Sequence, residues 1–195
     1  MQDLEFALFG LVNAGASAPA WSISFALFAS NFVPALLALA IAVGAVFDRR
    51  WRYAMFTMLV SVLVAWLVVG VIRSLMPLPR PAFYGLGIQW ASQGIRPGFP
   101  SLHAVGCFAA AFSLWSLPRR APMLVALGVA AVVAWSRVYL GLHFPFDVLA
   151  AIILGAFVVV LVERGLSRPL SLVVDKALRT RLRNRVRRAA RFSES

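Results

Sequence analysis

The sequence predicts an all-α polytopic membrane protein, a bundle of about five transmembrane helices, or six if one long apolar run folds back. Composition is the first reason. The chain of 195 residues is 62% hydrophobic and only 13% charged, whereas an average soluble domain is about 45–50% apolar and about 25% charged. So few charges cannot cover a soluble protein of this size, and lipid must solvate much of its surface. The composition therefore excludes a cytosolic globular domain and an intrinsically disordered chain.

Five long apolar segments are the second reason, because a spanning helix needs roughly 20 predominantly apolar residues. No charged residue occurs in residues 6–47, and this run is interrupted by glycine and proline at residues 15–19. We therefore expect a short interfacial segment followed by one span, or two spans if the run folds back. The predicted spans are residues 21–47, 54–72, 101–117, 123–135 and 146–162.

The distribution of basic residues orients these spans. Residues 48–52 and 118–120 are short and basic, and the chain after Glu163 is strongly basic. By the positive-inside rule all three segments face the cytoplasm. Residues 73–100 and 137–145 then lie together on the extracytoplasmic face.

The chain divides into a membrane-embedded domain, residues 1–163, and a basic tail, residues 164–195. The tail holds ten of the 19 basic residues, so the net charge of +12 reflects membrane topology and indicates no nucleic-acid partner. Apolar residues recur in the tail at three- and four-residue steps. This pattern favours an amphipathic helix on the anionic cytoplasmic leaflet, with a disordered tail that fixes topology as the alternative.

The extracytoplasmic face concentrates ionisable residues, which are costly near a membrane and usually functional. The first group is Arg73 and Arg80, seven residues apart on a proline-rich segment. Two forked cations on a stiff loop suit an oxyanion such as phosphate. For either arginine alone, an anchor at the membrane interface is the alternative.

The second group is Ser101, Leu102 and His103, which follow Pro100 and precede an apolar run. A serine after a proline predicts a helix N-cap, and the free N–H groups of the first turn would form an anion site. His103 would lie in that turn and face the bound anion. A hydrated interface residue is the alternative for this histidine.

The third group is Ser136-Arg137-x5-His143-x3-Asp147. A carboxylate four residues after a histidine can bind one imidazole nitrogen and leave the other free as a nucleophile. Asp147 could instead only stabilise the start of a helix that begins at Pro145. Taken together, the three groups could bind a phosphoryl group, attack it with one histidine and protonate the leaving oxygen with the other.

This pattern resembles the type-2 phosphatidic acid phosphatase superfamily, whose signature is Lys-x6-Arg-Pro, Pro-Ser-Gly-His and Ser-Arg-x5-His-x3-Asp. Arg73 stands where the family has Lys, and Leu102 stands where it has Gly. The resemblance extends to about Val162. The chain is also similar to the bacterial undecaprenyl-diphosphatase branch in size and in three segments: residues 8–14, 98–101 and 134–141.

The resemblance implies hydrolysis of a phosphate ester or anhydride through a phosphohistidine, with no cofactor and no metal. His143 would be the nucleophile, Asp147 would orient it, and His103 would be the general acid. The residues expected to bind the substrate phosphate are Arg73, Arg80, Ser101, Leu102 and Arg137. Arg96 lies outside the signature, where it either contacts a second phosphate or is a solvated loop charge.

The expected activity is hydrolysis of undecaprenyl diphosphate to undecaprenyl phosphate and phosphate. The expected location is the bacterial cytoplasmic (inner) membrane, with the active site on the extracytoplasmic side and the tail in the cytoplasm. Expected partners are membrane lipids and a prenyl diphosphate or phospholipid substrate; the sequence identifies no protein partner. The alternatives are a phosphatidic acid or phosphatidylglycerophosphate phosphatase, a lipid phosphotransferase, and a non-catalytic lipid-phosphate carrier.

Overall fold

The computed structural model describes residues 2–92 and 96–165, and all regular structure in these two ranges is helical. This confirms the prediction of an all-α membrane protein. The α-helices are α1 (Gln2–Val12), α2 (Ala20–Asn31), α3 (Val33–Phe47), α4 (Arg49–Leu75), α5 (Leu102–Ser113), α6 (Ala121–Tyr139) and α7 (Pro145–Gly165). Two short 3₁₀-helices are Pro81–Tyr84 and Leu114–Ser116.

Residues Met1–Val159 form one compact unit, which contains every residue of the predicted site. The described part of the second unit, residues 160–165, is the end of α7. The predicted basic tail lies outside the described residues, apart from its first two positions. Its amphipathic character and the boundary at residue 163 therefore stay predictions.

Three described helices, α4, α6 and α7, are long and apolar enough to cross a membrane. Helices α2 and α3 pass the same test together, but the pair is bent by 48° and forms either one broken span or a re-entrant loop. The described residues thus provide three or four candidate spans, where the sequence predicted five or six.

The difference arises at the predicted span 101–117. The structure has only a shorter apolar segment there, Leu102–Ser116. At 1.5 Å per residue this segment is about 22 Å long, which is less than the ~30 Å hydrocarbon core of a bilayer. Eight of the twelve residues of α5 are buried inside the protein. This segment is therefore surrounded largely by protein, and it is shorter than the other candidate spans.

Small residues allow other helices to approach α5 closely. A Cβ atom on Gly155 of α7 would lie 3.0 Å from the Cβ of Phe108 and 3.1 Å from the backbone nitrogen of Ala109. At the start of α5, the backbone N–H of Ser101 donates to the carbonyl oxygen of Asp147 at 3.2 Å. The N-terminal ends of α5 and α7 are therefore held side by side.

Asn13, which follows α1, joins the N-terminal segment to two distant parts of the chain. Its Nδ2 donates to the carbonyl oxygens of Ile88 at 3.0 Å and Tyr139 at 3.1 Å, and its Oδ1 accepts from the Ile88 N–H at 2.8 Å. Gly141, just beyond α6, has φ +74°, and a Cβ there would lie 2.3 Å from the Ile88 oxygen. Only glycine fits this turn, because both its backbone angle and its contact exclude a side chain.

Candidate active site

His143 and Asp147 form a buried pair. His143 lies in the loop between α6 and α7, and Asp147 lies in the first turn of α7. The His143 Nδ1 and the Asp147 Oδ2 are 3.1 Å apart, and the two residues are only 1% and 4% exposed. The same Oδ2 accepts a hydrogen bond from the Phe144 backbone N–H at 2.9 Å. A carboxylate at Nδ1 assigns the imidazole proton to that nitrogen and leaves the lone pair on Nε2.

The turn after α6 determines where His143 points. The backbone N–H groups of Leu142 and His143 both donate to the Arg137 carbonyl oxygen, at 3.0 and 3.2 Å. These bonds fold the chain back over the end of α6, with Gly141 at the turn. Pro145 then begins α7, where its missing N–H costs no helical hydrogen bond. The local sequence therefore places His143 next to Arg137.

Arg73 and Arg80 connect the first predicted group to the other two. Near the end of α4, the Arg73 Nη2 donates to the Pro100 carbonyl oxygen at 2.9 Å. Arg80 donates from Nε to the Arg96 carbonyl oxygen at 3.0 Å and from Nη1 to the Leu142 carbonyl oxygen at 3.2 Å. The first arginine is thus tied to the segment before α5 and the second to the residue before His143.

Arg137 is almost completely buried, with 2% of its surface exposed. Its Nη1 donates to the hydroxyl of Ser30, whereas its Nε and Nη2 are buried and have no hydrogen-bond partner within the described part of the chain. The Arg73 Nε and the Ser101 hydroxyl are also buried and have no hydrogen-bond partner among the described residues. Leaving a buried donor unpaired costs about 1–3 kcal/mol, and more for a charged group. Unpaired donors thus lie on three separate segments, and each is a group that an anion oxygen would satisfy.

The electrostatic environment of His143 shows which cations lie near it. Burial lowers the pKa of His143 well below its ordinary value of 6.5. Four neighbouring basic side chains lower it further: Arg137, Arg80, Arg73 and His103. The imidazole is therefore neutral at pH 7, the state that a nucleophile requires.

Arg80, which lies outside the α-helices, has charged neighbours in common with His143. Burial lowers the pKa of Arg80, the charges of Arg73 and Arg96 lower it further, and the carboxylate of Asp147 opposes them. The side chain of Arg96 is exposed. Arg96 thus lies close enough to act on Arg80, and its contact with a second phosphate stays a prediction.

Ser101 occupies the predicted N-cap position of α5, but its hydroxyl makes no capping hydrogen bond. The first-turn N–H groups have no partner within a helix, so a helix N-terminus with an uncapped serine offers several donors to an anion. His103, in the same turn, is exposed on the described chain and borders an apolar cavity of about 260 Å³. The cavity follows α5 from Leu102 to Ala110.

Leu102 is the first residue of α5 and has ordinary helical backbone angles, since no described residue other than glycine has a positive φ. The family glycine is therefore not required here for its backbone conformation. The Leu102 side chain borders both the cavity beside His103 and a second one, of about 340 Å³, beside Arg73. Leu102 thus lines both cavities from an ordinary helical backbone.

We predict that Leu102→Gly leaves phosphate affinity unchanged and lowers the free energy of unfolding by about 0.5–1 kcal/mol, the usual difference for glycine in a helix. The inhibition constant of inorganic phosphate measures the affinity, and denaturant unfolding in detergent measures the stability. Gly106→Ala, an opposite change one turn further along α5, is the matched control, because a Cβ there would meet no described residue within 4 Å. A tenfold tighter inhibition by phosphate, about 1.4 kcal/mol, would mean instead that Leu102 crowds the phosphate.

The structure brings the three sequence-predicted groups together, and it adds residues that the sequence analysis missed. Ser30 binds Arg137, Asn13 binds the segments around the site, and a Cβ on Gly98 would lie 3.4 Å from the Asp147 Oδ2. A polar residue inside the apolar run of residues 6–47 was the available signal for Ser30 and Asn13. Nothing in the sequence indicated which distant residue each of them contacts.

Arginine side chains around a buried, neutral imidazole, on helices of membrane length, are the arrangement expected of a membrane phosphatase. Comparison with known proteins gives the family. Residues 54–168 match the PAP2 superfamily. The chain belongs to this superfamily and is a membrane lipid phosphatase, a hydrolase of phosphate esters. The resemblance drawn from the sequence is confirmed.

Two relatives differ in how much of the chain they match. YbjG of Escherichia coli, described provisionally as an undecaprenyl-diphosphatase, is 30% identical over 158 residues, which are 80% of this chain and 79% of that protein. A lipid A 4'-phosphatase of Bacteroides thetaiotaomicron is 39% identical over 61 residues, which are 31% of this chain and 27% of that protein. The first similarity therefore covers most of both chains, and the second covers only a segment.

Two crystal structures have the same fold. LpxE of Aquifex aeolicus superposes with a TM-score of 0.67 and 19% identity, covering 83% of this chain and 95% of that one. A transmembrane PAP2-type phosphatidylglycerolphosphate phosphatase of Bacillus subtilis superposes with a TM-score of 0.65 and 23% identity, covering 86% of each chain. At these identities the matches establish the fold.

Proposed function

We propose that the protein hydrolyses undecaprenyl diphosphate to undecaprenyl phosphate and inorganic phosphate. The observation that carries the reaction is the buried His143–Asp147 pair beside the unpaired donors of Arg137. The similarity to YbjG over four-fifths of this chain supports the substrate. The fold match to the phosphatidylglycerolphosphate phosphatase is compatible with the alternative, phosphatidic acid or phosphatidylglycerophosphate.

In the first proposed step, the His143 Nε2 attacks the terminal phosphorus and the bond to the leaving oxygen breaks. His103 donates a proton to that oxygen, and the lipid product leaves. Asp147 keeps the Nδ1 proton in place and stabilises the positive charge that the imidazole gains. This step forms a phosphohistidine and leaves His103 deprotonated.

In the second step, water attacks the phosphohistidine while His103 accepts one of its protons. The bond from phosphorus to Nε2 breaks, and inorganic phosphate forms. The guanidinium groups and the first-turn N–H groups of α5 stabilise the charge on the phosphoryl oxygens in both steps. The residues proposed for this binding are Arg73, Arg80, Ser101, Leu102 through its N–H group, and Arg137. Arg96 is proposed for the second phosphate of a diphosphate substrate.

The proposed orientation puts the site on the extracytoplasmic face of the bacterial cytoplasmic membrane. Helix α4 supports it, since this helix begins in the basic segment at Arg49 and carries Arg73 in its last turn. A helix of 27 residues is about 40 Å long. The basic segment and the site therefore lie at opposite ends of one span, and the positive-inside rule assigns the basic end to the cytoplasm.

Phosphate release by the purified protein in detergent tests the proposed substrate. Undecaprenyl diphosphate, phosphatidic acid and phosphatidylglycerophosphate are compared in the presence of EDTA. We expect the highest kcat/KM for the diphosphate, because Arg96 adds a cation that a monophosphate does not use. Preference for either phospholipid would keep the reaction and overturn the substrate. Lipid binding without release of phosphate from any of the three would favour a carrier.

A further inference from the structure

Ser30, in the last turn of α2, contacts the site from outside the region that matches the family. It is 1% exposed, and its hydroxyl accepts a hydrogen bond from the Arg137 Nη1. The two residues are 107 positions apart in the chain. Ser30 also lies two residues before Phe32, the break between α2 and α3, where the pair of helices bends by 48°.

The atom of Arg137 that donates this hydrogen bond determines which of its other N–H groups stay available for a phosphate. A guanidinium group is planar, and its Nε and Nη2 present two parallel N–H bonds along one edge, which matches two oxygens of a phosphoryl group. The Nη1 lies off that edge. The Ser30 bond therefore restricts the orientation of the Arg137 guanidinium, and the bidentate edge has no partner among the described residues.

We propose that Ser30 is a positioning residue that orients Arg137 for bidentate binding of the substrate phosphate. The inference rests on the proposed function, because it takes Arg137 as a phosphate ligand. An arginine side chain loses rotamer freedom on binding, and a partner for Nη1 removes part of that loss before the substrate arrives. The segment N-terminal to the family match thereby contributes to phosphate affinity.

A second serine of α2 supplies the matched control. The Ser22 hydroxyl lies 2.7 Å from the Tyr139 hydroxyl, two residues beyond Arg137 on α6, and donates to the Pro19 carbonyl oxygen. Ser22 is also buried, at 7% exposure. Ser22→Ala and Ser30→Ala therefore each remove one buried hydroxyl that joins α2 to the same end of α6, but only the second removes a partner of Arg137.

The experiment measures kcat, KM and the inhibition constant of inorganic phosphate for both variants. We expect Ser30→Ala to raise the KM and the inhibition constant about 3- to 30-fold, because prior orientation recovers only part of the rotamer freedom that Arg137 loses on binding. Ser30→Thr keeps the hydroxyl and should restore both values, and Ser22→Ala should change neither. Equal effects of Ser22→Ala and Ser30→Ala on phosphate inhibition would overturn the proposal.

A double-mutant cycle with Arg137→Lys tests the route of the effect, since lysine keeps the charge but has no planar edge. Ser30→Ala should add little in that background, and full additivity would contradict the proposal.

Protection of the protein from thermal unfolding by inorganic phosphate gives a readout that needs no turnover. If no lipid phosphate is hydrolysed, the proposed function fails, but loss of this protection in Ser30→Ala alone would still support the role of Ser30. A wild-type protein that phosphate does not protect would overturn both.

Discussion

Replacing His143 with alanine is expected to lower kcat by about 10³- to 10⁶-fold, the range for loss of a nucleophile or its base. The variant has no atom at the position of Nε2, so no covalent phosphoenzyme can form. The KM should change far less, because the arginines and the start of α5 remain. The measurement is steady-state phosphate release by wild type and variant at equal concentrations of folded protein.

Trapping the intermediate separates this outcome from a general loss of structure. A substrate labelled in its terminal phosphate should transfer the label to the wild-type protein and not to His143→Ala. The bound label should be stable to base and released by acid, as expected of a phosphorus–nitrogen bond. Inorganic phosphate should still protect the variant from thermal unfolding, which shows that the binding groups are in place. Turnover within tenfold of wild type, about 1.4 kcal/mol in the barrier, would exclude His143 as the nucleophile.

The pairing of His143 with Asp147 could be predicted from the sequence because it is local. Four residues separate the two side chains, and Pro145 between them marks the start of a helix. A first-turn carboxylate can then reach back to the preceding loop, as the 3.1 Å contact shows. The all-helical membrane fold was predictable for a similar reason, since composition alone decides whether water or lipid can solvate the surface.

Features that depend on distant contacts were not predictable. Hydropathy does not distinguish lipid neighbours from protein neighbours, so the short length of the α5 segment and its burial inside the protein could not be predicted. The bonds of Asn13 and Ser30 link residues 75 to 126 positions apart. No local pattern specifies such partners. The Ser101 hydroxyl was not predictable either. A serine at an N-cap position normally bonds to the first turn, and Ser101 makes no such bond.

Replacing His103 with asparagine should have an effect that depends on the leaving group. Loss of a general acid costs about 10²- to 10⁴-fold when the leaving oxygen needs a proton. The alcohol released from a phosphate monoester needs one, since its pKa resembles that of water, about 15.7. A phosphate released from a diphosphate needs it much less, since its second pKa is about 6. We therefore expect a large loss with a monoester substrate and a small one with a diphosphate.

Phosphatidic acid and diacylglycerol diphosphate with the same acyl chains make this comparison, because the two substrates differ in the leaving group and not in the tail. The quantity to measure is kcat for each substrate in wild type and in His103→Asn, where the amide keeps much of the volume of the imidazole but cannot transfer its proton. Arg96→Gln is the matched control, since loss of a cation that contacts a second phosphate should weaken the diphosphate more than the monoester. The two variants should thus shift the ratio of the two rates in opposite directions. Equal losses of kcat on both substrates in His103→Asn would mean that His103 binds the phosphoryl group and does not protonate the leaving oxygen, because binding of the transferred group is common to both reactions.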